Sequence, residues 1–430
     1  MSSFTAATTP STAGSVNVRK RDWQTILLIG VAHASSHFFQ LVLPSLYVSL
    51  GNEFGYDFVR LGFLVSTFYA VSGMGQASSG FLVDRIGARP VLWFGLSCFI
   101  VSGVMIGSAN GYTMLVAAAA LGGVGNSIFH PVDYSLINRR ISAPRLGHAF
   151  STHGLTGNLG WALTPVFMTT LILLANWRVA AFGAAALVAV VLVLTIIGRR
   201  LLSDDIPADM REPVVTPAAT STPSQGSPAV PLAAGPKLMI LLRSPALWCA
   251  FLFFAFTSLA LAAVQNYSIP LLRDLYSLSA VTSSSALSGY MLASAVGMLA
   301  GGFLVARAHT EQIVLVALIL AGCTLVWLSL GGVPAMLAAP IVALAGFCAG
   351  VAGPSRDMLI RRVTPKGAVG SVYGLVYSGM DVGSAVAPLA FGMLLDMGFT
   401  SGPWIGAGMA FVMGAFLAQF IARYARMQGR

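Results

Sequence analysis

Few residues in this chain could do chemistry, and they gather inside apolar stretches. His33 and His37 stand four apart, and Gln40 continues their helical face. Asn126, His130 and Asp133 follow one another at spacings of four and three, again on one face. His153 and Asn158 lie in a third stretch. Imidazole beside carboxylate can take and release protons near neutral pH, since a neighbouring negative charge favours the imidazolium form. Taken singly, each histidine reads equally well as a hydrogen-bonded core residue. The later half of the chain offers Arg356, Asp357 and Asp381. A guanidinium binds carboxylate or phosphate bidentately, so Arg356 could hold an anionic group. It could equally pair with Asp133 or Asp381. Asp357 stands four before Arg361, a spacing that allows a pair on one helix. Asp381 is either a titrating carboxylate or an ion-pair partner. Gln265, Asn266 and Tyr290 are placed to touch a bound molecule by position alone.

Other chemistries find less support. A metal site has neither a cysteine nor a second carboxylate behind it, and none is expected. Cys98, Cys249, Cys323 and Cys348 all lie in apolar runs and show no disulfide or metal spacing. His130, Asp133, His148 and His153 activate no Ser or Cys nucleophile, so an enzyme is not expected. No phosphate-binding loop for ATP is present.

These residues must be positioned by the elements around them. Of the 430 residues 56% are hydrophobic and 9% charged, against about 25% charged in a soluble domain. Apolar runs of about 20 residues can cross a bilayer. The sequence predicts twelve, over 23–49, 59–80, 88–108, 112–138, 146–172, 177–198, 246–271, 280–305, 313–331, 334–360, 368–395 and 403–423. Backbone polar groups in lipid must bond internally, so each is a helix. The net charge of +10 would suggest nucleic acid in a soluble protein. Here 20 of the 24 Lys and Arg fall in tails and alternate loops, three fall in the others, and Arg356 lies within a span. That bias places both termini in the cytoplasm and explains the charge through orientation in a membrane. Residues 1–22 and 424–430 read as cytoplasmic tails, the first disordered, and 199–245 as a Pro/Ser/Thr-rich linker.

The chain also repeats itself. Gly-Phe-Leu-Val-Asp-Arg begins at Gly80 and Gly-Phe-Leu-Val-Ala-Arg at Gly302, each between two apolar runs. At a shift of 223, Pro131 falls on Pro354, Gly147 on Gly370, Gly160 on Gly383 and Pro165 on Pro388. The expected fold is therefore all-α, with two pseudo-symmetric six-helix bundles over 23–198 and 246–423. Such a chain is expected to move a small molecule by alternating access, and to be monomeric. A sensor would need a larger soluble domain than 199–245 can form.

Gly80, Asp84, Arg85, Gly87 and Arg89 resemble the signature turn between helices 2 and 3 of the major facilitator superfamily. The run Gly125-Asn126-Ser127-Ile128-Phe129-His130-Pro131, with Gly147-His148-Ala149, Gly157-Asn158-Leu159-Gly160 and Ser36-His37, resembles the fosmidomycin-resistance group of exporters. Where that group carries Asn-Asp after the first-span His, this chain has Gln40 and Leu41. The resemblance implies a bacterial inner-membrane antiporter that exchanges protons for a drug-like or phosphonate-like compound, with no cofactor beyond the coupling proton. Proton-coupled uptake of a small organic anion is the alternative. It also implies a gate in which Asp84 faces the start of span 11 near 368–371.

Overall fold

A computed structural model describes residues 12–203, 244–305, 307–363 and 369–427. They form helices joined by short turns, with no strand among the described residues. In chain order these are α1 (Thr12–Gln40), α2 (Val42–Ser45), α3 (Tyr47–Phe54), α4 (Phe58–Ile86), α5 (Ala88–Gly107), α6 (Tyr112–Asn126), α7 (Phe129–Arg140), α8 (Leu146–Leu174) and α9 (Trp177–Ile197). After the linker come α10 (Pro245–Tyr276), α11 (Ala280–Leu304), α12 (Thr310–Ser329), α13 (Ala335–Val363), α14 (Val369–Asp396) and α15 (Gly402–Met427). Most of the linker, 204–243, lies outside the described residues.

Eleven helical segments are long and apolar enough to cross a membrane, by length and composition. The twelfth, α1, is diluted by His33, Ser35, Ser36, His37 and Gln40. Large apolar side chains such as Phe81, Leu174 and Met336 are exposed, as lipid-facing surfaces require.

Two expected spans depart from a single rod, and a proline explains the first break in each. The helix that carries span 1 starts before position 23, since residues 12–22 are already in α1, and the span divides at Leu41 and again at Leu46 into α1, α2 and α3. Pro44 has no N–H to offer the Gln40 carbonyl. Span 4 divides at Ser127–Ile128 because Pro131 likewise leaves the Ser127 carbonyl without its helical donor. Ser79 Oγ, on α4, donates to that carbonyl at 3.0 Å.

By contacts the chain forms two compact units. Unit 1 is Met1–Leu46 with Val71–Ile206, and unit 2 is Tyr47–Ala70 with Pro207–Arg430. Helix α4 thus gives its Phe58 half to unit 2 and its Ile86 half to unit 1.

With lipid outside, helix association rests on close packing of small residues. In unit 1 a Cβ on Gly160 of α8 would lie 2.2 Å from the Ala34 carbonyl oxygen of α1. In unit 2 a Cβ on Gly383 of α14 would lie 2.2 Å from the Ala255 carbonyl oxygen of α10. The duplication predicted from sequence therefore recurs as one backbone contact made twice. The loop charges also bond. Fully buried Asp22 accepts from Ser142 N at 3.2 Å, Ser142 Oγ at 2.5 Å and Arg145 Nη1 at 3.0 Å, which fastens α1 to the α7–α8 loop.

Candidate functional site

The chemistry-bearing residues of unit 1 meet where α1, α7 and α8 pack. Asp133, on α7, is fully buried, and its Oδ2 is the acceptor for two rings. His33 Nδ1 lies 2.9 Å away and His153 Nε2 3.1 Å away. The two rings stack, with centroids 3.5 Å apart and planes 24° apart. No Lys or Arg pairs with this carboxylate among the described residues. Asp133 Oδ1 is buried and bonds to nothing described. His37, one turn along α1, sits 4.5 Å from His33 and 4.2 Å from Trp161 by ring centroids. Both its ring nitrogens are buried and without a described partner. His130 stands 5.7 Å from His33 and 6.3 Å from His153. Gly157 makes the room: a Cβ there would come within 3.0 Å of His37 Cε1 and 3.1 Å of His33 Nε2.

Asn126 does not join this group, although its spacing to Asp133 placed both on one face. The break at Ser127–Ile128 separates them. Asn126 Oδ1 accepts from Ser36 Oγ at 3.0 Å and Gln40 Nε2 at 2.9 Å, and its Nδ2 donates to Ser72 Oγ at 2.8 Å. Gln40 Oε1 in turn accepts from Trp161 Nε1 at 2.9 Å. Sequence reasoning missed Ser72 and Trp161. Trp161 follows His153 by eight, a helical spacing that could have found it, whereas a lone serine on α4 gives no signal. Asn158 Nδ2 donates to the Gly154 carbonyl one turn back, at 3.1 Å.

In unit 2, Arg356 Nε bonds Asp357 Oδ1 at 2.9 Å, and its guanidinium lies 4.9 Å over the Phe254 ring. The partner expected for Asp357, Arg361, has its side chain outside the described residues. Asp381, half-buried on α14, has no hydrogen bond or ion pair to a described residue. Its electrostatic neighbour is Tyr69 of α4. Asn266 Oδ1 accepts from Tyr47 OH at 3.0 Å, and its Nδ2 donates to the Ala262 carbonyl at 2.7 Å. Gln265 Nε2 and Tyr290 OH are buried without a described partner.

At the α4–α5 turn, Gly87 has φ +92°, a left-handed conformation that a side chain would strain. Asp84 Oδ1 lies 3.6 Å from Arg139 Nη2 of α7, an exposed pair. Arg89 Nη1 donates to the Arg199 carbonyl at 3.3 Å. Gly80 has open space around it and Arg85 is exposed. Residues 364–368, at the expected docking place of Asp84, lie outside the described residues.

Helices of spanning length, polar groups buried among them and a charged glycine turn define an all-α membrane transport protein. The chain belongs to the Major Facilitator Superfamily, whose family model matches residues 28–337 and 255–427. The fosmidomycin resistance protein of Escherichia coli K12 is 32% identical over 170 residues. That match covers 39% of this chain and 41% of that protein. A probable nitrate/nitrite transporter, NarK2 of Mycobacterium tuberculosis, is 25% identical over 363 residues, 83% of this chain and 85% of that protein. A bacterial homolog of the human lysosomal transporter Spinster, solved inward-facing and unoccupied, aligns with a TM-score of 0.68. It shares 14% identity and covers 94% of this chain and 96% of that one, so it supports the fold alone.

Proposed function

We propose that this transporter exports a small phosphonate-like or other drug-like compound across a bacterial inner membrane in exchange for protons, with both termini in the cytoplasm. Asp381 carries the coupling argument. A carboxylate inside a span is costly unless neutralised, and Asp381 has no cation beside it among the described residues. A proton is the simplest neutraliser, taken on one side and released on the other. Asp133 is a poorer carrier because two rings already engage its Oδ2. The direction draws on the local match to the fosmidomycin resistance protein. The Gln40, Asn126 and Trp161 network on α1, α6 and α8, with His37 beside it, supplies the polar wall of the pathway.

Uptake of a small organic anion is the second reading. It is favoured by Arg356, whose partly exposed guanidinium lies within a candidate span, and, for an anion though not an organic one, by the longer match to a probable nitrate/nitrite transporter. Arg356→Gln should then weaken binding of the anion.

Proteoliposomes loaded with fosmidomycin and given a pH gradient test the first reading. The gradient should accelerate fosmidomycin movement, and Asp381→Asn should remove that acceleration while leaving passive equilibration through the protein. Movement indifferent to the gradient in the unaltered protein would remove proton coupling. Overproduction that leaves cells no more tolerant of fosmidomycin would remove this compound as cargo.

A further inference from the structure

We propose that His33, Asp133 and His153 form a binding site for one divalent transition-metal ion of the zinc type. One ligand atom from each of His33, Asp133 and His153 lies within 4.8 Å of the other two, and His33 Nδ1 and His153 Nε2 are the nitrogens that face Asp133 Oδ2. Two imidazoles with one carboxylate is a donor set that suits zinc, cobalt or nickel and not the all-oxygen preference of magnesium or calcium. The three residues are 2%, 0% and 6% exposed, so water does not compete for them. They come from three helices of one unit, separated by 100 and 20 residues in sequence, and so leave no ligand motif for the eye to catch.

The distances suit an ion. Tetrahedral ligands at about 2.0–2.1 Å from zinc stand about 3.3–3.4 Å from one another. The two ring nitrogens already stand 2.9 and 3.1 Å from Asp133 Oδ2. Spreading by a few tenths of an ångström, with the proton of each facing ring nitrogen moved to that ring's other nitrogen, exchanges each hydrogen bond for a bond to the ion.

Two further observations point to a missing ligand. Asp133 Oδ1 is buried with no described partner, and a buried acceptor left unpaired is costly. The carboxylate also lacks a basic counter-ion among the described residues, so the buried site calls for positive charge. Close by, both ring nitrogens of His37 are buried without a described partner, and its ring lies 4.5 Å from His33, beside the three ligands and not among them. The plainer reading of the triad is a hydrogen-bonded clamp on α1, α7 and α8 that binds nothing. It accounts for the two short contacts, but it leaves the unpaired oxygen and the unpaired ring unexplained.

The test uses the full chain, purified in detergent micelles without a histidine tag and stripped with a chelator. Zn²⁺ titrated by calorimetry should bind one ion per chain, and Co²⁺ at the same site should show the visible bands of tetrahedral cobalt. Asp133→Asn and His33→Gln should each weaken binding more than about 100-fold, beyond the 10–100-fold that loss of a supporting second-layer partner produces. His148→Gln and His309→Gln, both exposed and away from the cluster, should bind as the unaltered protein does. His153→Cys guards against misfolded variants: it offers a thiolate ligand and should keep Co²⁺ while adding a sulfur-to-cobalt charge-transfer band. Absence of stoichiometric binding in the unaltered chain overturns the proposal, as does binding that Asp133→Asn leaves unchanged. Proton-driven transport was assigned to Asp381 in the other unit, so either result leaves that assignment to its own experiment.

Discussion

Asp396 ends α14, and its carboxylate takes the first free backbone donors of α4. Phe58 N donates to Oδ1 at 2.9 Å and Val59 N to Oδ2 at 2.7 Å. The first N–H groups of a helix have no partner of their own, and the positive end of the helix dipole lies there. Around this contact the two backbones touch. Tyr267 OH donates to the Pro388 carbonyl. A Cβ on Gly62 would lie 2.2 Å from that same oxygen, and one on Gly392 would lie 2.5 Å from the Phe58 carbonyl oxygen. The Phe58 half of α4 is therefore latched within unit 2, although from Val71 onward the helix belongs to unit 1. Any cycle that shifts one unit against the other must release this latch or bend α4 near Ala70. Asp396→Ala removes a cap worth about 1 kcal/mol and a charge–dipole contact worth about 0.3–1 kcal/mol. The sum, about 1–2 kcal/mol, changes the latched-to-released ratio about 5–30-fold. Leu61 is 2% exposed in the latched state and reports on it. In a chain with its four cysteines replaced by serine, Leu61→Cys should react with a membrane-impermeant maleimide about 5–30-fold faster once Asp396 is alanine. Asp396→Asn, which keeps one acceptor oxygen, should fall between. A labelling rate unchanged by Asp396→Ala would refute the latch. Labelling only from the cytoplasmic face would refute the orientation drawn from the charge count.

Four other substitutions probe the packing and the turn. Asn126→Ala breaks three interhelical bonds at about 0.6 kcal/mol each, so the melting temperature in detergent should fall by an amount equivalent to about 2 kcal/mol; an unchanged melt would mean the network contributes nothing. Gly160→Ala and Gly383→Ala each push a methyl into a carbonyl oxygen 2.2 Å away and should cost about 1–3 kcal/mol apiece. A neutral result for one and not the other would break the equivalence of the two contacts. Asp84→Asn removes an exposed pair worth less than about 1 kcal/mol, so stability should hold while the transport rate falls; an unchanged rate would reduce the turn motif to an anchor.

Much of this was legible in the residues. Apolar runs and alternate-loop charge gave the helices, because length and hydropathy decide what can cross a bilayer. The site was legible as a set of residues and not as an arrangement. Spacing along one helix grouped Asn126 with Asp133, yet Pro131 and the break before it send them to different networks. The partner of Asp133 one hundred positions earlier, His33, is set by the Gly160–Ala34 approach of α8 to α1, which no spacing rule contains. Asp396 carried no signal because an acid at the end of a span looks like any solvated loop residue. The Ser79 hydroxyl that serves the Ser127 carbonyl is silent for the same reason: a serine in an apolar helix has several roles open to it, and only the neighbouring helix selects one.

The two units differ in an instructive way. The glycine contact is kept, Gly160 against Ala34 and Gly383 against Ala255, with the glycines 223 positions apart and their partners 221. At the shift of 223 Asp133 meets Arg356, and Asn158 meets Asp381. Sterics explains the first result: where a carbonyl oxygen occupies the place of a Cβ, any residue but glycine must separate two helices, and small rearrangements cannot compensate. Charge obeys a looser constraint, since a buried ion needs only some partner, and the partner can come from another helix, from a proton or from an ion. A duplicated gene therefore keeps its backbone contacts and is free to divide its chemistry. In this chain the division leaves a carboxylate held by two imidazoles in unit 1 and, in unit 2, a carboxylate with no hydrogen bond or ion pair among the described residues, and two sites so unlike are suited to holding different things.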